Sequence, residues 1–231
     1  MSIDARQLLI LLNWMSPAFP VGTFAYSHGL EQAIADGSVK NADGLKGWIE
    51  DVITRGSGWN DAVLFAQCWE RDAQELNDLA LALPTSKERY FETTELGRAF
   101  EVASSLFLPS PPRMWGRGLG EGVAQRRNAS KDLQAEGPPH PALSPPEAGA
   151  RGSIENGGGS GEISYPIAAG VACNAAGIHK SYALLAFLQG FSNALISVGV
   201  RLIPLGQTRG LEVMRDLMPV IAATADRAGN A

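Results

Sequence analysis

The stretch SYALLAFLQGFSNALISVGV, Ser181 to Val200, decides what kind of fold this chain has. It carries no charge over a length that would let one helix cross the hydrocarbon core of a bilayer. Its internal pattern points elsewhere. Gln189, Asn193 and Ser197 recur every fourth residue and form one polar stripe along a helix. Ala186, Gly190 and Ala194 form a second stripe of small residues, over which another backbone can approach closely. A buried helix, central to a core or to a dimer seam, explains both stripes, and a membrane span is the lesser alternative.

Outward from this segment the pattern stays helical. The spacing predicts helices over about 166–176, 180–202 and 207–228, with Pro204 and Gly206 as punctuation and Pro219 as a kink or restart. Towards the N-terminus, Asp4 is a cap for Gln7–Trp14, and Ser16-Pro17-Ala18-Phe19-Pro20 must leave the helix because both prolines lack an amide donor. A short amphipathic helix is expected from Tyr26 to Ile34, ended by Asp36-Gly37. Asn41 opens the next one, which Gly56 and Gly58 end. Asn60 reads as an N-cap with Asp61 in the first turn of a helix continuing to Leu83. Thr85-Ser86-Lys87-Glu88 fits a capping box for a last helix to Phe107. No segment alternates with period two for long enough to be a strand.

Residues 109–161 differ in kind. They hold 8 of the 14 prolines and 11 of the 26 glycines and little that could form a buried face. Such a composition cannot bury enough surface to offset the entropy of ordering it. The expectation is an all-α protein: a single helical-bundle domain of about eight to ten helices, residues 1–108 and 162–231, interrupted by a Pro/Gly-rich disordered insertion at 109–161.

Composition excludes several functions. A net charge of -5 and a pI near 5.3 leave no basic footprint for nucleic acid. Cys68 and Cys173 are too few for a disulfide framework, which favours a reducing, cytoplasmic setting. The apolar run Leu8–Leu12 is too short for an export signal, and Asp4 and Arg6 before it cancel.

Chemistry-bearing motifs are scarce. No phosphate-binding glycine loop opens a helix, and Gly116, Gly118, Gly120 and Gly122 sit in the insertion without a flanking strand. His28 and Glu31, three apart, could share a helix face, but one such pair does not make a metal site. Cys173 and His179 point apart on a helix, and His140 lies in the insertion. Ser27 and His28 are adjacent, so they form no Ser–His pair by themselves. The reading is a chain without catalytic residues, bound metal or cofactor.

The segment Leu11 to Glu31, LLNWMSPAFPVGTFAYSHGLE, resembles the opening signature of the UreF family of urease accessory proteins. Further matches follow in order: Gly58-Trp59-Asn60-Asp61, Glu95-Leu96-Gly97-Arg98-Ala99-Phe100, Tyr165-Pro166, and Arg201 to Thr208, RLIPLGQT. Together they cover residues 1–107 and 162 to about 228. The insertion has no expected counterpart in that family; its fragments resemble a mobile repeat translated in frame, so deleting residues 110–160 should leave folding and activity nearly intact. The chain also stops soon after Arg227, where such proteins usually continue into a partner-docking tail, and the resemblance puts the strength of complex formation in question there.

What the resemblance implies is an all-helical protein, commonly a homodimer in its complex, that joins a UreD/UreH-type partner and a UreG-type GTPase and engages apo-urease for nickel insertion. Nucleotide hydrolysis would occur on the GTPase and the metal would end in the enzyme. Tyr26, Ser27, His28, Glu31, Asp61, Arg98, Gln207 and Thr208 are the candidates for partner contact, with capping or internal hydrogen bonding equally open for each. Phe19, Phe24, Leu30 and Phe100 are assigned to the core. Two rivals stand beside this reading: a generic helical dimer or adaptor unconnected with nickel, and a helical enzyme with a site around His28, Glu31 and Asp61.

Overall fold

The computed structural model describes residues 3–22, 26–108 and 161–231. Among them lie nine α-helices and no strand. Helix α1 (Ala5–Trp14) starts as expected at Asp4, whose carboxylate accepts from the Gln7 amide at 2.8 Å while Gln7 Oε1 accepts from the Asp4 amide. Helix α2 (Leu30–Ala35) is shorter than its amphipathic pattern suggests. Helix α3 (Ala42–Arg55) is capped by Asn41, which accepts from the Gly44 amide at 2.9 Å.

The expected helix from Asn60 to Leu83 is two helices. α4 (Ser57–Gln67) starts one turn earlier, with Gly56 as its cap, so Asn60 is an interior residue and Gly58 belongs to the first turn. A turn follows, and α5 (Ala73–Ala82) begins after Asp72, whose side chain accepts from the amides of Gln74 and Glu75. The break lets both helices lay apolar faces on one partner: Leu64 and Cys68 at the end of α4 and Leu76 and Ala80 of α5 cluster with Ile167. Helix α6 (Lys87–Ser104) takes Ser86, not Thr85, as its cap and passes into a single 3₁₀ turn, Ser105–Phe107. Helices α7 (Tyr165–Ala175), α8 (Lys180–Leu202) and α9 (Gly206–Gly229) complete the set. α9 runs through Pro219 without restarting.

Helix α8 meets the length and hydropathy of a bilayer span, with a mean hydropathy of 1.6, yet α1, α2, α3, α4, α7 and α9 all pack on it. Two of the three polar-stripe residues reach the surface, while Asn193 and the small-residue stripe are half-buried. Gln189 and Ser197 are exposed, whereas Gly190 takes the close approach of the Met15 carbonyl at the end of α1; a Cβ there would lie 3.1 Å from that oxygen. The fully buried Leu184, Phe187, Leu188 and Val198 face inward, each stabilising the fold by about 1.5–3 kcal/mol through removal of apolar surface from water.

Helices from both sides of residues 109–160 pack into one unit. An aromatic column joins them: Trp14 meets Phe100 edge-on at 5.6 Å, Phe100 meets Tyr165 at 5.8 Å, Tyr165 meets Phe187 at 5.7 Å, and Phe187 stacks on Phe65 at 4.6 Å. The buried Asn77 fixes where the chain re-enters, donating to the Glu162 carbonyl at 2.8 Å and accepting from the Ser164 amide at 2.9 Å. At the other end Arg227 of α9 lies over the Trp59 ring at 4.3 Å, and Gln67 donates to the Ala231 carbonyl at 2.8 Å. Phe19, Leu30 and Phe100 are core residues as expected; Phe24, His140 and the alternating glycines 116–122 lie outside the described residues.

Candidate functional site

The first turns of α6 place Arg89 and Glu92 three residues apart, on the side that continues into the buried Leu96 and Phe100. Helix α4 presents Asp61 to the same interior. The turn before α2 supplies His28, at a φ of 50°, followed by Gly29 at 80°. The expected helix from Tyr26 therefore does not form until Leu30, and His28 and Glu31 do not share a helix face.

These residues make one continuous polar chain. Arg89 donates to Asp61 Oδ2 at 2.5 Å and, through its other terminal nitrogen, to Glu92 Oε1 at 2.9 Å. The same Glu92 oxygen lies 3.3 Å from His28 Nε2, and His28 Nδ1 lies 3.0 Å from the Ser57 hydroxyl. The imidazole also rests against Phe191 of α8, 4.6 Å between ring centroids. All four ionisable side chains are largely buried, with exposures of 21% for Arg89, 10% for Asp61, 7% for Glu92 and 10% for His28.

Burial decides the charges. It pushes the carboxyl groups of Asp61 and Glu92 above their ordinary values, against the pull of Arg89. Burial also opposes the charge on Arg89, but Asp61 and Glu92 outweigh it and hold the guanidinium protonated. Burial, reinforced by Arg89, pushes His28 down to about 3. The imidazole is therefore neutral near pH 7, and its contact with Glu92 is a hydrogen bond rather than an ion pair. The tautomer that satisfies both neighbours carries its proton on Nε2, donates it to Glu92 and accepts the Ser57 hydroxyl hydrogen at Nδ1.

The order Ser57, His28, Glu92 puts a hydroxyl, an imidazole and a carboxylate in line, as nucleophilic catalysis requires. A general base has to bind a proton near the working pH, and an imidazole with a pKa of about 3 does so poorly. Glu92, moreover, is shared with Arg89. The geometry suits a fixed strut better than a proton relay.

Above the chain lies an open groove of about 810 Å³, walled by the turn at Tyr26–Glu31, the α3–α4 junction and the connection Leu83–Ser86. It gathers Tyr26, Ser27, His28, Glu31 and Asp61 of the candidates drawn from sequence. Tyr26 is half-buried, and burial, then Glu92 and Glu95, raises its phenol pKa. Arg98 is exposed on α6, and Gln207 and Thr208 are exposed in the first turn of α9; none of the three lines this groove. Sequence reasoning missed Ser57, Arg89, Glu92 and Phe191. A signal for Glu92 existed: Glu92, Leu96 and Phe100 are four apart, so a carboxylate sits on an apolar stripe.

Among the described residues no group of three or more His, Cys, Asp or Glu side chains is arranged to hold a metal ion. Cys68 and Cys173 are free and buried; burial pushes the Cys68 thiol up to about 12 and raises Cys173 as well, so neither is reactive near neutral pH.

Fold and site together define an all-helical protein with an open groove over a desolvated ion chain. The UreF family model matches residues 39–218. The chain is 36% identical to the urease accessory protein UreF 1 of Brucella canis over 226 aligned residues, covering 96% of this chain and 80% of that protein. It is equally 36% identical to the urease accessory protein UreF of Mesorhizobium japonicum, covering 96% of this chain and 82% of that one. The chain belongs to the UreF family of urease accessory proteins.

Proposed function

We propose that this chain is a non-catalytic coupling subunit of urease maturation, joining a UreG-type GTPase and a UreD/UreH-type partner to apo-urease so that nickel, as cargo, is delivered to the enzyme. It works in the cytoplasm, as a homodimer within that complex. Binding energy that differs between the nucleotide states of the GTPase supplies the bias, and the rigid bundle transmits it. One observation carries the reading: four residues of the opening family signature, Tyr26, Ser27, His28 and Glu31, converge with Asp61 on a single open groove. Partner contact is assigned to that groove, with Arg98, Gln207 and Thr208 as exposed contacts elsewhere on the surface.

The test removes the gene for this chain from a urease-positive host. Urease activity and the nickel content of the enzyme are expected to collapse together and to return with the gene, and the tagged chain is expected to capture the GTPase and the UreD/UreH-type protein. Unchanged urease activity without the chain would end the proposal. So would turnover of a substrate by the isolated protein that His28→Ala abolishes without loss of fold; that result would favour the enzyme reading suggested by the Ser57–His28–Glu92 alignment.

A further inference from the structure

We infer that Arg89 and Glu92 are positioning residues for the turn Tyr26–Glu31: acting through the His28 side chain, they clamp a left-handed stretch of backbone and so preform the groove wall that a partner meets. This rests on the docking reading above. His28 is the one non-glycine residue with positive φ among those described, and Gly29 follows it at 80°. An L residue holds such a conformation only where its surroundings over-determine it.

Here the surroundings do so from three helices. α4 supplies the Ser57 hydroxyl to Nδ1, α6 supplies Glu92 to Nε2, and α8 supplies the Phe191 ring. Glu92 is itself placed by Arg89, which is held from the far side by Asp61. The turn's own backbone contributes the bond from the Leu30 amide to the Ser27 carbonyl at 2.9 Å. Both ring nitrogens of His28 are committed, and the ring is wedged. A side chain with those commitments fixes its own backbone, and with it the directions of Tyr26, Ser27 and Glu31 along the wall. Strain held at a binding edge lowers the ordering cost that association would otherwise carry.

The experiment uses the full chain and the variants Arg89→Met, Glu92→Gln and His28→Ala, alone and combined. In the isolated proteins, the Leu30 amide is expected to exchange with solvent roughly tenfold faster in Glu92→Gln while amides of α3 and α9 keep their wild-type rates. Uniform acceleration, or none, overturns the clamp. In binding to a purified complex of the GTPase and the UreD/UreH-type protein, Arg89→Met is expected to weaken affinity roughly tenfold or more, and to add nothing when His28→Ala is already present. Additive losses, or affinity equal to wild type, overturn it too. Glu92→Gln, close to isosteric, decides the matter should Arg89→Met fail to fold. A wild-type chain that ignores the complex defeats the docking reading, whereas the exchange measurement still decides the clamp.

Discussion

Two regions of the bundle hold their helices together by opposite means. Where α8 crosses α3 and α9 the contact is apolar and close: a Cβ on Gly199 would lie 2.5 Å from the Leu45 side chain, one on Gly210 would lie 2.7 Å from Val200, and Leu45, Val198 and Leu217 are fully buried. Under the groove, α4, α6 and the Tyr26–Gly29 turn meet through Asp61, Arg89, Glu92 and His28. Apolar burial is non-directional; a desolvated ion chain is a poor source of net stability, but it fixes distances and fails hard when one member is removed. The difference teaches that the seam of α8 with α3 and α9 supplies adhesion, whereas the ion chain beneath the groove supplies geometry.

The sharpest way to break this contrast is a pair of truncations followed across pH. Phe187→Ala and Arg89→Met are each expected to cost about 3–5 kcal/mol near neutral pH, the first through a cavity and the second through two buried carboxylates left without a cation. Urea unfolding should show the Phe187 deficit unchanged in mild acid. The Arg89 deficit should shrink there, because burial raises the pKa values of Asp61 and Glu92 and protonation removes the stranded charges. Equal pH dependence for the two would erase the distinction.

The pH profile of the intact protein sharpens it further. Because the native His28 pKa is pushed down to about 3 from 6.5, the unfolded chain binds a proton that the folded chain refuses between those values. Stability from the neutral imidazole is complete above about pH 6.5 and falls by up to about 1.4 kcal/mol per pH unit on acidification towards pH 3. Asp61 and Glu92 act in the opposite sense, since their folded-state pKa values are raised. Unfolding midpoints measured over this window should therefore fall less steeply for His28→Gln than for wild type. An imidazole that titrates near 6.5 by NMR would refute the assignment.

A smaller effect tests close packing where the chain re-enters the bundle. A Cβ on Gly97 would lie 2.1 Å from the Ile163 carbonyl oxygen, a backbone atom with little freedom to yield. Gly97→Ala should cost about 1–3 kcal/mol despite the better helix propensity of alanine, as thermal unfolding can show. Smallest of all, Arg98→Ala, Gln207→Ala and Thr208→Ala should each change stability by no more than about 0.5 kcal/mol, because these side chains are exposed. Any loss of partner capture in those three then reports contact rather than folding.

Much of the fold was legible in the residue pattern. Local rules located α1 through the Asp4 cap, α3 through Asn41, and α8 from Lys180 to Leu202, because caps and apolar periodicity act within a few residues. They failed at Gln67–Ala73, where apolar spacing outweighed the Asp72 cap, and at Tyr26–Gly29, where an amphipathic pattern masked a left-handed turn. At the site, the resemblance offered Tyr26, Ser27, His28, Glu31 and Asp61 among eight candidates but carried no hint that Ser57 and Arg89 join them. Those residues stand 29 and 28 positions from the partners they bond.

From sequence alone came an all-α chain of the UreF type, helices placed by their caps and periodicity, and a central helix whose striping favours a protein core over a bilayer. Tertiary structure alone decided the charge state of His28, the sharing of one Glu92 oxygen between Arg89 and His28, and the turn that brings the signature residues to a groove. The physical reason is one of range. Helix formation depends on neighbours three or four residues away, whereas desolvation and ion pairing depend on which distant segments exclude water together.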